Sequence, residues 1–284
     1  MSNFELLEEL SEEEFSQLTE LRNFIGGLQR VCIAYSGGVD SSLVTAIAKE
    51  QLNKNAFAVT GVSPALAPTL LSEARQQAAW IGINHKECST KELKDPKYNS
   101  NPTNRCYACK SELHSHLKLI SQKAGNFQVI DGVNYDDLKD HRPGISAAKE
   151  AGVISPLAEL KIGKLSIRKI SKALGFPWWD KPAEPCLASR FPYGELISSN
   201  RLILVGKAES WLKENGFTHV RVRNEGLNGK IEVPSHQIKE ITEDVMRERI
   251  IKKFIELGFD SVTIDLEGFS SGKLNKHIKI NSNH

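Results

Sequence analysis

The length, composition and charge of this chain are those of an ordinary globular protein. Its 284 residues are 40% hydrophobic and 25% charged, which allows a sizeable core and one main domain with a smaller second one. A formal net charge of +2 argues against a strongly electrostatic nucleic-acid binder. No signal-like or membrane-length apolar run is present, and the odd number of cysteines favours the reducing cytoplasm. We therefore expect a cytoplasmic protein that binds neither membranes nor nucleic acid.

The first part of the chain alternates between helical and strand-like segments. Ser11 and Glu14 form a capping box, and apolar spacing extends the helix that follows to about Gly26. Strands are predicted at residues 30–34, 56–62, 84–88 and 127–133, and helices between them and at 163–174. A polar stretch at 95–105 is predicted to be irregular. This alternation predicts an α/β fold, with a parallel sheet covered by helices on both faces.

The pattern changes after a proline-rich segment without periodicity, which is typical of a linker or a functional loop. Beyond it the sequence predicts a helix at 198–215, a hairpin with strands at 218–223 and 230–233, a helix at 235–257 and a strand at 261–264. This set is typical of a small α+β domain. We therefore expect a main domain at 1–176, a cysteine-bearing loop at 177–197, a small domain at 198–271 and a polar tail at 272–284.

A glycine-containing turn between the first strand and the next helix is the most informative motif. It consists of Ser36, Gly37, Gly38, Val39, Asp40, Ser41 and Ser42. The glycines let the backbone approach an oxyanion, and the first N–H groups of the helix point towards it. Asp40 could hold Mg²⁺ that arrives with a nucleotide. A serine-rich helix cap is the simpler alternative, but the intact motif between strand and helix favours a phosphate site.

Two further strand ends are candidates for nucleotide contacts. Thr60 begins the turn after the second strand, at the sheet edge where ligands bind in open α/β folds, so it could form an adenine wall. Residues 131–137 form an acidic turn with an asparagine that suits ribose or Mg²⁺ contacts. Plain connections between strand and helix explain both segments equally well.

Cys186 lies in the proline-rich segment, where a cysteine has little core to pack into. Arg190 follows four residues later, and a nearby cation favours the thiolate, which is the attacking form of cysteine. These two residues are therefore candidate catalytic groups.

Cys106 and Cys109 form a Cys-x-x-Cys at a predicted helix start, and three interpretations are open. The pair could be a redox disulfide. It could be half of a zinc site completed by His114 or His116 and Cys186. It could also join Cys186 in holding an iron–sulfur cluster, for which thiolates are the usual ligands.

Arg221 and Arg223 lie two residues apart on a predicted strand and so face the same way. Paired guanidinium groups make a good phosphate clamp. Glu232 on the partner strand and Glu209 on the preceding helix could meet a metal or the clamp itself. A solvated, charged strand face is the alternative.

Taken together, the motifs resemble known enzymes. Residues 36–42 resemble the pyrophosphate (PP) loop of the N-type ATP pyrophosphatases, which cleave ATP between its α and β phosphates. The wider pattern resembles the LarE family of ATP-dependent sulfur transferases, which build the nickel-pincer cofactor of lactate racemase. The motifs that carry this resemblance are residues 36–42, 104–110, 131–137, 142–144, 155–157, 185–190 and 221–223.

The resemblance implies an adenine nucleotide alpha hydrolase-like domain, a smaller α+β domain and a homo-oligomer. The implied substrate is pyridinium-3,5-biscarboxylic acid mononucleotide, whose carboxylates are adenylated with ATP and Mg²⁺ and become thiocarboxylates. Cys186 would handle the sulfur and Arg190 would lie beside the reacting group. Arg221 and Arg223 would hold the substrate phosphate, and Glu209 and Glu232 would share a metal.

Many LarE members have only the cysteine that corresponds to Cys186 and sacrifice its sulfur, which leaves dehydroalanine. This chain resembles the branch with three cysteines, in which Cys106, Cys109 and Cys186 would hold a [4Fe-4S] cluster that carries an extra sulfide. We predict the cluster route, with the sulfide donor unknown. The alternatives are sacrifice of the Cys186 sulfur, and a tRNA thiolase of the PP-loop type.

Overall fold

The computed structural model describes residues 4–139, 142–270 and 273, which divide into two compact units. Of these residues, the first unit takes those up to 63, 68–95 and 104–184. The second takes 64–67, 96–103 and those from 185 onward. The expected cysteine-bearing loop, 177–197, is thus divided between the units at residue 184. Apart from Lys273, the expected polar tail lies outside the described residues.

The secondary structure of both units is numbered along the whole chain. The helices are α1 (Glu12–Gly27), α2 (Val39–Leu52), α3 (Pro68–Ile81), α4 (Pro96–Asn99), α5 (Arg105–Ala124), α6 (Pro143–Glu150), α7 (Pro156–Glu159), α8 (Lys164–Ala173), α9 (Ser199–Glu214), α10 (Ile238–Ile241) and α11 (Asp244–Leu257). The strands are β1 (Val31–Ala34), β2 (Ala56–Val62), β3 (Asn84–Ser89), β4 (Gln128–Ile130), β5 (Arg221–Glu225), β6 (Asn228–Glu232) and β7 (Ser261–Ile264). No helix in the described parts of the chain is both long and apolar enough to cross a membrane.

The first unit is built on a parallel sheet in the order β3-β2-β1-β4, which confirms the predicted α/β fold. The capping box at Ser11 is present and starts α1. β4 is shorter than predicted, because its parallel pairing with β1 ends where Ile130 pairs with Ile33. Beyond it, the backbone N–H of Asp131 donates to the carbonyl of Ile154 at 3.0 Å.

Helix α2 lies in the centre of the first unit. Every residue from Ser41 to Ala48 is buried, so the helix is enclosed nearly all round rather than on one stripe. One face of the sheet packs on α1, α2, α3 and α8, and the other packs Cys32, Phe57 and Val59 against Leu117 of α5. Burial raises the pKa of the Cys32 thiol to about 12, which makes it an inert core residue. The loop that precedes α2 is therefore held on a rigid support.

The second unit contains a small sheet in the order β5-β6-β7, with β5 and β6 antiparallel and β6 and β7 parallel. The hairpin turn is shorter than predicted, because Gly226 takes a positive φ of 61° and lets the strands continue to a two-residue turn. The helix predicted at 235–257 is broken at Thr242, the C-cap of α10, whose hydroxyl lies 2.8 and 3.0 Å from the carbonyl oxygens of Ile238 and Lys239. Glu243 is then extended and precedes α11.

The segment 96–103, predicted to be irregular, contains α4 and is fastened within the second unit. The carbonyl of Asn99 accepts from the N–H of Ile197 at 2.7 Å, and the side-chain amide of Asn101 donates to the carbonyl of Pro192 at 2.6 Å. Tyr98 is almost fully buried. These contacts brace the chain that follows Cys186.

The chain at Gly132, just after β4, packs closely against the backbone of α2. A Cβ there would lie 2.6 Å from the backbone nitrogen of Ser41 and 2.7 Å from its Cα. Because backbone cannot move aside cheaply, we expect Gly132→Ala to lower the free energy of unfolding by about 1–3 kcal/mol. Gly27→Ala is the control, since nothing lies within 4 Å of its added methyl group. Equal stabilities of the two variants in a urea titration would contradict this packing.

Candidate functional sites in the two units

The loop of the first unit has the geometry of an anion cradle. Gly37 has a φ of +72°, and a Cβ at this position would lie 2.9 Å from the Cβ of Ala74. Gly38 is the N-cap of α2 but supplies no side-chain hydrogen bond to the helix. The first N–H groups of α2 are therefore left to a ligand, and the positive end of the helix dipole favours a negative one.

Two side chains outside the loop, Gln77 and Tyr35, support it through the hydroxyl of Ser42. The side-chain oxygen of Gln77, on α3, lies 3.3 Å from both the Tyr35 hydroxyl and the Ser42 hydroxyl. Burial raises the pKa of Tyr35 to about 12, so its hydroxyl keeps its proton and donates to Gln77. Sequence patterns did not single out Gln77, because its apolar neighbours on α3 mark that helix only as a core element. The hydroxyl of Ser42 is thus oriented by a buried polar network.

Asp40, in the first turn of α2, is the centre of a charged group. The ammonium of Lys164 lies 2.6 and 2.9 Å from its two carboxylate oxygens, and the side-chain amide of Asn134 donates to it at 3.3 Å. Burial raises the pKa of the nearby Asp137 carboxyl, and the negative charge of Asp40 adds to that rise. Asn134 belongs to the turn proposed from sequence for ribose or Mg²⁺, whereas Lys164 had no sequence signal.

The donor set around Asp40 fits a hard cation. Mg²⁺ is usually bound by one or two carboxylates together with the phosphates of its nucleotide. Asp40 would supply a carboxylate here, beside N–H groups suited to the phosphates, whereas the Asp137 carboxylate pairs with Arg142 at 2.8 Å. The described residues contain no group of three or more His, Cys, Asp or Glu side chains arranged to hold a metal ion.

Thr60, the candidate adenine contact, is buried and ties β2 to its neighbours. Its hydroxyl lies 2.8 Å from the carbonyl oxygen of Tyr35 and 2.8 Å from Nε2 of His85. The hydroxyl has a single proton to donate to Tyr35, so it accepts from Nε2–H of a neutral His85. Burial lowers the pKa of His85, which is consistent with that neutral form. The adenine role of Thr60 stays a prediction.

In the second unit, Arg190 holds the cysteine-bearing segment in place. It is almost fully buried, and its Nη1 donates to the carbonyl oxygens of Pro185 and Cys186 at 2.9 and 3.3 Å. Its Nε and Nη2 donate to the two oxygens of Glu209 at 2.8 and 2.9 Å. The guanidinium therefore shapes the backbone around Cys186 and neutralises a buried carboxylate.

The remaining candidates of the second unit form a connected network. Glu209 also accepts from the backbone N–H of Val222 at 2.9 Å. Arg223 donates to Glu232 at 2.8 Å and to the carbonyl oxygen of Ser189 at 2.7 Å. Arg221 lies over the ring of Phe269, with its guanidinium carbon 5.3 Å from the ring centre. Each glutamate thus bonds to an arginine, and their shared metal site stays a prediction.

Cys106 and Cys109 lie in the first unit, on the first turn of α5, where residues three apart face the same side. Cys106 is exposed and Cys109 half-buried, so both are reachable. All five cysteines belong to the described part of the chain, and they are thiols there. Two accessible thiols on one helical turn fit a metal or cluster that takes thiolate ligands.

The buried pair of Arg190 and Glu209 gives a stability prediction. Glu209→Gln leaves a buried guanidinium without its counter-charge, so we expect a loss of about 3 kcal/mol in the free energy of unfolding. The thiol of Cys186 should also react faster with a thiol reagent, because its backbone is no longer braced. Glu256→Gln, which removes an exposed carboxylate 4.0 Å from Lys253, is the control and should change stability by less than about 0.5 kcal/mol. The prediction fails if the two variants unfold alike.

One protein family model and several known proteins are similar to this chain in sequence. The asparagine synthase family model matches residues 27–96, which include the loop. An uncharacterized protein of Synechocystis sp. is 54% identical over 261 residues, 92% of this chain and 97% of the relative. An uncharacterized protein of Methanocaldococcus jannaschii is 34% identical over 243 residues, 86% of this chain and 92% of the relative.

A further relative has a named activity. Pyridinium-3,5-bisthiocarboxylic acid mononucleotide synthase of Lactiplantibacillus plantarum is 35% identical over 249 residues, 87% of this chain and 90% of the relative. A match of 249 residues is longer than either unit, so it runs through both of them. The chain therefore belongs to the LarE family of PP-loop ATP-dependent sulfur transferases.

Proposed function

We propose that this protein uses ATP to convert the carboxylates of pyridinium-3,5-biscarboxylic acid mononucleotide into thiocarboxylates. The observation that carries the proposal is the uncapped start of α2 beside Asp40, an anion cradle joined to a carboxylate suited to Mg²⁺. The product named for the L. plantarum relative supplies the substrate class.

The first step is activation of the acid. A carboxylate is a poor electrophile, so one of its oxygens attacks the α phosphorus of ATP, the bond to the β phosphate breaks, and pyrophosphate leaves. The N–H groups at the start of α2 stabilise the charge that moves onto pyrophosphate. Mg²⁺ held through Asp40 would add Lewis-acid stabilisation of the same charge. The product of this step is an acyl-adenylate.

The second step delivers sulfur. A sulfur nucleophile handled by Cys186 attacks the acyl carbon, the bond from carbon to the AMP oxygen breaks, and AMP departs. Arg190 fixes the backbone at Pro185 and Cys186 and so holds that thiol in one position. Arg221 and Arg223 bind the phosphate of the mononucleotide, which orients the acid.

The source of the sulfur is the second part of the proposal. Cys106, Cys109 and Cys186 would supply the thiolates for a [4Fe-4S] cluster, and the cluster would supply the sulfide that is transferred. The thiol pair on α5, of which Cys106 is exposed and Cys109 half-buried, together with the half-buried thiol of Cys186 in the second unit, supports this route over sacrifice of the Cys186 sulfur. A homo-oligomer is the assembly we propose.

Exchange of labelled pyrophosphate into ATP tests the activation step. We expect exchange to depend on the pyridinium dicarboxylate, and Asp40→Asn to lower it at least about 100-fold, because it removes the charge that holds Mg²⁺. Cys186→Ser should keep exchange but make no thiocarboxylate, since adenylation precedes sulfur transfer. Cys88→Ser, a strand cysteine outside both sites, is the matched control. Exchange without the dicarboxylate, or with tRNA in its place, would contradict the proposal.

Mass spectrometry after anaerobic reconstitution with iron and sulfide tests the sulfur route. We expect a coloured protein that turns over repeatedly and keeps the full mass of Cys186. Cys106→Ser and Cys109→Ser should each lose iron and repeated turnover. A colourless protein that is active once per chain, with Cys186 lighter by one H₂S, would instead establish sacrifice of its sulfur.

A further inference from the structure

Asp40, the carboxylate that we propose binds Mg²⁺, is already paired with a cation. The ammonium of Lys164 bonds both oxygens of Asp40, at 2.6 and 2.9 Å. The two side chains are 31% and 21% exposed, so the pair is reachable from solvent. An ammonium that bonds both oxygens occupies the positions a divalent ion would need on that carboxylate. Lys164 and Mg²⁺ are therefore competitors for Asp40.

The backbone of Lys164 is anchored at the start of α8, whereas its side chain has a flexible stem. Lys164 is the first residue of α8, and its backbone N–H donates to the Asp136 carboxylate at 2.8 Å. A Cβ on Gly163 would lie 2.8 Å from that same carboxylate, so the helix start fits closely against Asp136. Ile167 and Ile170 anchor α8 in the core. Only the four-carbon stem of the lysine is left to swing between partners.

Asp40 keeps a second, neutral partner that does not depend on Lys164. The side-chain oxygen of Asn134 accepts from the backbone N–H groups of Asp136 and Asp137, at 2.9 and 3.1 Å. This fixes the orientation of the amide, whose nitrogen then donates to Asp40. Asp40 therefore stays in place when the ammonium leaves. The neighbouring Asp137 has its own cation, Arg142 at 2.8 Å, so loss of the ammonium leaves Asp40 as the carboxylate that needs a new one.

We propose that Lys164 is a displaceable counter-ion of Asp40, which excludes free divalent metal until a nucleotide arrives. This inference rests on the proposed function, because it assumes that a magnesium nucleotide binds the loop. The nucleotide brings Mg²⁺ to Asp40 and phosphate oxygens to the start of α2. The ammonium exchanges Asp40 for a phosphate oxygen, so every charge keeps a partner. Metal and nucleotide binding are coupled as a result.

The test measures Mn²⁺ binding to the full-length protein by electron paramagnetic resonance, with and without ATP. We expect wild-type protein to bind Mn²⁺ weakly alone and at least about 10-fold more tightly with ATP. Lys164→Met should bind Mn²⁺ at least about 10-fold more tightly than wild type without nucleotide, and ATP more weakly. Adding Asp40→Asn to that variant should remove the gain, which identifies Asp40 as the site.

Two controls separate charge from folding. Lys164→Arg keeps a cation at Asp40 and should exclude free Mn²⁺ as wild type does. Lys172→Met removes another lysine of α8, which pairs with Glu8 at the surface, and should change neither Mn²⁺ nor ATP binding. Circular dichroism spectra and melting curves confirm that each variant is folded.

The outcomes distinguish this inference from the proposed function. If Lys164→Met binds free Mn²⁺ no better than wild type, the counter-ion role is wrong, while substrate-dependent pyrophosphate exchange could still occur. If the Mn²⁺ results are as expected but exchange does not depend on the pyridinium dicarboxylate, the coupling stands and the proposed acceptor is wrong.

Discussion

The enclosure of α2 is the constraint on which the nucleotide site depends. A helix that is buried nearly all round from Ser41 to Ala48 is held firmly by the core, and this packing fixes the direction of the N–H groups beyond Gly38. Preorganised dipoles stabilise charge without the cost of reorienting during the reaction. The close approach of Gly132 to the backbone of Ser41, and the polar support from Gln77, belong to the same arrangement. Core packing thereby sets the electrostatics of the loop.

In the second unit, an irregular segment carries Cys186, the cysteine that we propose handles sulfur. Loops have few backbone partners of their own, and here a buried guanidinium supplies two of them. Arg190 bonds two carbonyls around Cys186, and Glu209 neutralises it while bonding β5. A lysine could not do this, because it lacks the planar fork that reaches the carboxylate and the carbonyls together. The cysteine thus gains a defined position without a helix or strand.

Local signals in the sequence predicted much of this structure. The capping box of α1, the glycine turn and the alternation of strands and helices each depend on neighbours along the chain, and each is present. The contacts that complete the two sites join residues that are distant in the sequence, so local patterns do not reveal them. Asp40 and Lys164 are far apart in sequence, and no spacing rule connects them. The direction of the Arg190 side chain likewise depends on Glu209, which only the fold brings near. The break in the helix at Thr242 was missed because the apolar periodicity continues across it.

The account depends most directly on transfer of a carboxylate oxygen to phosphorus. The decisive measurement uses the pyridinium dicarboxylate labelled with ¹⁸O in its carboxylates, incubated with the full-length protein, Mg²⁺, ATP and sulfide. The account predicts that the label appears in the phosphate of AMP and is absent from pyrophosphate. Label in inorganic phosphate with formation of ADP, or AMP without label, would contradict it, because the acid would then be activated by another reaction.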